Sequence, residues 1–395
     1  MGRRGNVQRR NVPVLALTVI AMLVARLTWS RLLPTYYADL GASDAQIGTA
    51  FSLLAAAFAL FQLIGGLLAD RVGRKPVTVL PIFGVVVAVA GMARVGNWQQ
   101  LLAAHLSLAA FASVQSPGFT ALLAESVPAG ERGRAFGMVT VASRIASAAG
   151  PALGAWLLTL TALPTLLWGT VAVGVVVSLA RLSLLRETLG TAGSSAPLSA
   201  AWGEVDWGTA ARFLVVGTLY TLFFNLLLGG PFIALHAHQI RGLDNVRLNL
   251  LFAVGDGAAI LSAPLAGWLG DRVGHRRMLA AAVLVMGGGL LAWALLPGGW
   301  AATLCFVLAT GAGPAASIAY NALLTGVVEG RRRGSFVGLM GTLTGLLGSP
   351  ASRVGAELRV WGGSSGPFWA ALGLAGLLVL ALGWGGTKEG RSAGN

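Results

Sequence analysis

The sequence predicts an all-α polytopic membrane protein, with twelve transmembrane helices in two pseudo-symmetric six-helix bundles. Three observations carry this. Hydrophobic residues make up 55% of the 395-residue chain and charged residues only 11%, whereas soluble domains carry roughly 25% charged residues. So little charge cannot clothe a water-facing surface. The chain also contains twelve apolar runs, each near the ~20 residues that a bilayer core demands. Finally, one loop pattern occurs twice: Gly66-Leu67-Leu68-Ala69-Asp70-Arg71-Val72-Gly73-Arg74-Lys75, and Gly267-Trp268-Leu269-Gly270-Asp271-Arg272-Val273-Gly274-His275-Arg276. The spacing, 271 minus 70, is 201 residues, about half of the chain. Repeats of this kind are a common plan of secondary transporters.

The expected spans run roughly 12–35, 45–69, 76–95, 99–124, 135–160 and 164–185, then 209–235, 246–270, 277–296, 299–326, 335–357 and 367–385. They are called spans 1 to 12 below. Span 1 is read as a retained helix, not a cleaved leader, because it is long enough to cross and carries Arg26 and Arg31. Pro13 suits its first turn, where a missing backbone donor costs little. Residues 1–188 form the first expected bundle, 189–207 a Gly/Ala/Ser-rich cytoplasmic linker and 208–395 the second bundle. The duplication extends past the loop pattern: Ala121-Leu122-Leu123 matches Ala322-Leu323-Leu324, and Arg132-Gly133 matches Arg333-Gly334, at the same spacing.

Orientation follows from Lys and Arg in short loops. One set holds Arg3, Arg4, Arg9 and Arg10; Arg71, Arg74 and Lys75; Arg132 and Arg134; Arg272, Arg276 and Arg277; and Arg331, Arg332 and Arg333. The opposite set holds scattered basic residues such as Arg94, Arg241 and Arg247. The first set is expected on the cytoplasmic side of a cell (inner) membrane, and both termini with it.

The formal charge of +14 does not point to nucleic acid, because the basic residues are parcelled among short loops. Cys305, the single cysteine, allows no internal disulfide. Gly362-Gly363-Ser364-Ser365-Gly366 fits G-x-S-x-G, but it sits in a loop between helices and not at a strand-to-helix elbow. No H-E-x-x-H and no G-x-x-x-x-G-K-[ST] occurs. No enzyme activity, catalytic residue, metal or cofactor is expected. The expected partners are a small-molecule substrate, protons and the lipid bilayer, with the chain working as a monomer.

These residues resemble the major facilitator superfamily. The pattern G-x-L-x-D-R-x-G-R-K between spans 2 and 3 is that family's most specific signature, and residues 66–75 match it throughout. The second copy keeps Gly267, Asp271, Arg272 and Gly274 but has His275 and Arg276 where the first has Arg74 and Lys75. The resemblance covers essentially the whole chain and implies the major facilitator fold, with spans 1, 4, 7 and 10 around a central cavity. Gly66 and Gly267 are expected to let a helix end approach its neighbour closely. The family's geometry implies that Asp70 faces the start of span 11 near Gly334, stabilised by the helix dipole. By symmetry Asp271 faces span 5 near Arg134, and Arg71 and Arg74 pair with Glu125. Such a cluster would latch the two halves on the cytoplasmic side; the alternative is a topological anchor that merely holds the loop inside.

Span 5 resembles more narrowly the drug:proton antiporter branch, whose pattern is G-x8-G-x3-G-P-x2-G-G. The chain keeps Gly137, Gly150, Pro151 and Gly154, with Ala146 and Ala155 at two glycine positions. In the family this helix packs against span 8. An ordinary proline kink is the plainer reading. The family also often has an arginine twelve residues before a proline in span 4; counting back from Pro117 gives His105. Histidine titrates near neutral pH where arginine does not, so His105 is a proton-coupling candidate.

Ionisable residues inside membrane spans are functional candidates by default. Arg26, Arg144 and Asp256 fall within spans 1, 5 and 8, the last two in the middle third of the membrane. Asp256 is expected to carry the proton, tuned by Arg144 or Arg26; the alternative is a static salt bridge. Span 7 adds Tyr220, Phe224 and Asn225 as cavity candidates beside Phe223, and span 10 has Tyr320 and Asn321. His236, His238 and Arg241 are expected to be solvated, and Arg353 and Glu357 to pair locally. The expected activity is proton-coupled efflux of lipophilic drug-like compounds by alternating access. One alternative is a transporter of a small anionic metabolite held by Arg26 and Arg144; another is a non-transporting membrane sensor.

Overall fold

The computed structural model describes residues 10–188, 207–325 and 333–383, and apart from turns and loops they are all helical. In chain order the helices are α1 Asn11–Leu27, α2 Leu33–Asp39, α3 Asp44–Val72, α4 Arg74–Met92, α5 Trp98–Glu125, α6 Arg132–Leu158, α7 Leu163–Leu184, α8 Trp207–Leu226, α9 Phe232–Leu235, α10 Asn245–Val273, α11 His275–Leu295, α12 Gly299–Gly311, α13 Gly313–Thr325, α14 Arg333–Gly348, α15 Ala351–Gly362 and α16 Gly366–Gly383. Among the described residues, nine helical stretches are long and apolar enough to cross a membrane. They correspond to expected spans 1–4, 6, 8–10 and 12. Span 5, as α6, is long, but Ser143, Arg144 and Ser147 interrupt its apolar run. Span 11 is broken at Ser349-Pro350 into α14 and α15, where proline cannot donate to the preceding turn. The expected linker and the loop arginines Arg3, Arg4, Arg9, Arg331 and Arg332 lie outside the described residues.

Three further spans are not the continuous helices expected, and one of them, span 10, is interrupted at Ala312 between α12 and α13. Span 1 stops at Leu27 and restarts at Leu33 after a single 3-10 turn, Ser30–Leu32. Trp29 anchors the break: it is fully buried and donates from Nε1 to Thr170 Oγ1 at 2.8 Å, while Thr170 donates to Ala25 O at 3.0 Å. Span 7 stops at Leu226, and after Gly229-Gly230-Pro231 the chain continues as α9 and a π-turn, His236–Ile240.

The chain clusters into two compact units. The first comprises residues 1–43, 56–196 and 242–253; the second comprises 44–55, 197–241 and 254–395. Inside the first, α1 packs on α6 and α7, and α4 on α5 and α7. Inside the second, α8 packs on α14 and α16, and α11 on α12, α13 and α16. The two packing lists are the same once each helix is matched to its counterpart half a chain away, so the repeat seen in the sequence is a repeat of internal packing. The first unit is centred on Val12, Leu15, Val79, Leu122, Leu123, Ala135 and Leu185, and the second has a smaller cluster of Ala210, Leu324 and Met340.

Candidate functional site

The first loop pattern builds an ionic cluster. α3 ends at Val72, Gly73 turns the chain at φ +120°, and α4 starts at Arg74. Arg74 Nη1 lies 2.5 Å from Asp70 Oδ1, and its Nε donates to Glu125 Oε1 at 3.2 Å. Glu125 Oε2 accepts from Thr188 Oγ1 at 2.6 Å. The Glu187 carboxylate caps α4, accepting from Arg74 N at 3.1 Å and Lys75 N at 3.0 Å. A carboxylate there satisfies two orphan amides and meets the positive end of the helix dipole. Glu187 is aimed by the buried Asn11, whose side chain donates to Arg186 O at 3.1 Å and accepts from Arg186 N at 2.9 Å. Sequence reasoning missed Glu187, Thr188 and Asn11; these contacts span 113, 63 and 175 residues, beyond any local pattern. Arg71 is exposed at the end of α3.

The second copy is wired differently. Arg272 stacks over the Trp268 ring at 4.1 Å, and Arg276 donates to the Leu382 carbonyl at the end of α16. Asp271 is exposed. The close approach expected at Gly66 occurs one residue earlier: a Cβ on Gly65 would sit 2.3 Å from Val114 O, whereas one on Gly66 would be 4.0 Å from Pro117 Cβ. A Cβ on Gly267 would meet nothing within 4 Å among the described residues. Helix packing has selected Gly65, which lies on the face toward α5. The expected approaches of Asp70 to Gly334 and of Asp271 to Arg134 join residues of different units.

In α6 the glycines are packing surfaces against α1. A Cβ on Gly150 would lie 2.5 Å from Leu27 Cβ, and one on Gly154 would lie 2.2 Å from Thr28 O and 2.8 Å from Asn249 Nδ2. Asn249 is fully buried and donates to Thr28 O at 2.8 Å. Gly154 therefore lets the start of α10 bond to the broken end of α1. Pro151 is buried inside α6, and Gly137 has open space around it.

The charges at depth divide between the units. Arg26 and half-buried Arg144 belong to the first, half-buried Asp256 to the second. His105 sits on α5, with Tyr37 Oη 3.3 Å from its Nδ1, and the charge of Arg26 bears on it. Arg181, which sequence reasoning also missed, is buried on α7, donates to Thr18 Oγ1 at 2.8 Å and lies 5.6 Å from the Phe119 ring.

In the second unit Tyr220 stacks on Tyr320, centroids 4.4 Å apart at 17°. Asn225 braces the break after α8, donating to Gly348 O at 3.1 Å, and its own carbonyl accepts from Ser352 Oγ at 3.3 Å. Phe224 is exposed. Arg353 and Glu357 pair at 2.5 Å, and Arg359 Nε meets Asp44 Oδ2 at 2.8 Å. His236 corrects an expectation: it is 2% exposed, not solvated. Trp293 and Phe368 close over its ring, with centroids at 5.2 and 5.3 Å. Burial, with Arg241 adding to it, pushes its pKa down to about 4. Arg241 is likewise packed, over the Trp293 ring at 4.8 Å.

Comparisons with known proteins agree with this architecture. The chain is 26% identical over 259 residues to the multi-drug resistance efflux pump PmrA of Streptococcus pneumoniae serotype 4, covering 63% of this chain and 64% of the pump. It is 30% identical over 268 residues to the multidrug resistance protein MdtG of Klebsiella pneumoniae, covering 64% and 63%. The aligned part thus spans under two thirds of either relative's length. The solved nucleoside transporter NupG superposes with a TM-score of 0.74 at 15% identity, over 94% of this chain and 97% of that one. The human organic anion transporter MFSD10 superposes at 0.68 with 19% identity, over 95% and 99%. At such identity these two share the fold. The sequence profile described as Major Facilitator Superfamily matches residues 14–352 and 230–391. The chain is a multi-pass membrane protein that belongs to the Major Facilitator Superfamily.

Proposed function

We propose that the protein exports small lipophilic compounds across the cell membrane in exchange for protons, as a monomer with cytoplasmic termini. The observation that carries this reading is the likeness to proteins named as multidrug efflux pumps at 26% and 30% identity, each over about 63% of the chain. Energy comes from the proton gradient. Asp256, a half-buried carboxylate within a candidate membrane span, is the proton carrier. A change in the surroundings of this carboxylate during the transport cycle captures and releases the proton.

The Asp70–Arg74–Glu125 cluster is the inner latch. It ties the end of α3, the start of α4 and the end of α5 together. The stacked Tyr220–Tyr320 pair offers an aromatic wall suited to flat apolar substrates. The test is accumulation of a lipophilic fluorescent dye in cells that express the protein. Wild-type cells should hold less dye than cells expressing Asp256→Asn, and a protonophore should abolish the difference. Equal accumulation in both, with both proteins present in the membrane, contradicts the reading.

A further inference from the structure

Two long helices divide their residues between the compact units. Residues 44–55 of α3 cluster with the second unit, although the rest of that continuous helix belongs to the first. Residues 245–253 of α10 cluster with the first unit, and the rest of α10 with the second. The exchanged segments stand at the repeat spacing, 245 minus 44 being 201. Asp44 precedes Asp70 by 26 residues, about 39 Å along a helix at 1.5 Å per residue. Each exchange therefore lies at the helix end far from the loop motif.

The two segments are seated by different chemistry. In the second unit the start of α3 lies on α15. A Cβ on Gly48 would sit 2.5 Å from Ser352 O and 2.6 Å from Ala356 Cβ. Arg359 Nε meets Asp44 Oδ2 at 2.8 Å, its Nη2 donates to Gln239 Oε1 at 2.5 Å, and Gln239 Nε2 donates to Asp44 Oδ1 at 3.4 Å. Arg353 donates from Nη1 to Ala45 O at 3.2 Å and from its backbone N to Ser52 Oγ at 2.9 Å. Arg359 is buried, but Gln239 and Arg353 are exposed and Asp44 is partly so. In the first unit the start of α10 is held at Asn249, which is fully buried and donates to Thr28 O at the broken end of α1. Thr28 is buried too, as are Leu248 and Phe252 of the same segment, and Gly154 closes the space around the bond. Each seat leaves one buried atom without a hydrogen-bond partner among the described residues, Arg359 Nη1 in one and Asn249 Oδ1 in the other. Access to water is what separates them: it reaches the charged seat and not the neutral one.

We propose that in the transport cycle the start of α3 lets go of α15 while the start of α10 stays on α1, with Asp44, Arg359 and Gln239 as the catch that is released. This rests on the transporter reading and names its moving contact. Polar groups already at water exchange a protein partner for a water molecule at little net cost. Pulling Asn249 from the Thr28 carbonyl instead strands two buried polar groups, a loss larger than the bond itself contributes. The repeat thus carries two seats at equivalent positions, one releasable and one that serves as the pivot.

The test reads distances, not transport. Purified full-length Cys305→Ser protein in liposomes carries nitroxide labels on one of two cysteine pairs. Leu53→Cys with Val354→Cys spans the seat of α3, and Leu153→Cys with Leu250→Cys spans the seat of α10; all four positions are exposed. Double electron–electron resonance should show a short and a longer distance for the first pair and a single distance for the second. Arg359→Gln should raise the ratio of longer to shorter distance by roughly three- to tenfold, the worth of a partly exposed charge pair converted to a population ratio. Asp44→Asn, which removes the charge and keeps an acceptor, should raise it by less. The unmoved second pair shows that both variants are folded. A second pair with two distances before either substitution, or a first-pair ratio that neither substitution alters, overturns the proposal. Dye efflux that depends on Asp256 would survive either of those results, so this contact can fail while the efflux reading stands. Distances that behave as expected in a protein that moves no dye would break the efflux reading alone.

Discussion

The two copies of the loop pattern share Asp, Arg and Gly at equal spacing, yet they are held by different physics. In the first, Arg74 is bound by Asp70 and Glu125, and Glu187 caps the helix that Arg74 begins. In the second, His275 stands at the position of Arg74, Arg272 at that of Arg71 stacks on an aromatic ring, and Arg276 at that of Lys75 donates to a backbone carbonyl. The sequence explains the difference once the repeat is laid out. At the spacing of 201, Gly326 stands where Glu125 stands, and Lys388 stands where Glu187 stands. The motif acid Asp271 is kept, and the two partner acids are absent at the equivalent positions. Even the turn glycines record this: a Cβ on Gly73 (φ +120°) would lie 2.6 Å from Glu187 Oε2, whereas one on Gly274 (φ +89°) would meet nothing within 4 Å. A motif match therefore does not imply a functional match, because partners elsewhere in the chain decide what the motif does.

The strongest way to break this contrast is to remove one arginine from each copy. Arg74→Ala leaves two carboxylates facing each other and should lower stability by about 2 kcal/mol, a partly buried charged network discounted for exposure. It should also abolish efflux. Arg272→Ala removes an exposed guanidinium from the Trp268 ring and should cost about 1 kcal/mol or less with efflux retained. Thermal unfolding in detergent and dye efflux check both; equal losses would erase the distinction.

Gly73→Ala and Gly274→Ala sharpen it. Each forces a side chain into left-handed backbone at a cost of about 1–2 kcal/mol, but Gly73→Ala must also push the Glu187 carboxylate away. It should be the worse of the two in wild type. In a Glu187→Ala background the gap should shrink to what the 3.3 Å approach to Pro76 Cδ leaves, and an undiminished gap in unfolding temperature would contradict the placement of the Glu187 carboxylate at this turn.

The smallest expected effect separates the units by pH. His236 takes up a proton in the unfolded chain near 6.5 but in the folded protein only near about 4. The folded pKa is depressed, so acid favours the unfolded chain. Stability should fall as pH drops through 6.5 and level off below about 4. Between pH 7 and pH 6 the loss is under about 1 kcal/mol. His236→Gln should remove that part of the slope. A second unit whose unfolding ignores pH in this range would mean that the ring is hydrated in the native state.

The fold was legible because membrane burial writes itself into long apolar runs, and the 201-residue repeat showed the twofold internal packing. Positive loops and the motif pointed to the right corner of the first unit. What stayed hidden depends on tertiary contact. Nothing local marks Asn11 as the residue that aims Glu187, or Trp29 as the anchor of a broken first span. His236 looked solvated because it follows a helix end, yet Trp293 and Phe368 arrive from 57 and 132 residues away to bury it. Gly66 drew attention as the motif glycine, while the neighbouring Gly65 makes the tight approach.

The central claim is exchange of substrate for protons. Purified protein in liposomes, with a pH-sensitive dye inside and a proton gradient imposed, tests it most directly. Adding a lipophilic compound should trigger proton movement in wild type and none in Asp256→Asn. Substrate movement with no change in internal pH, or equal proton movement in the two proteins, would contradict the account.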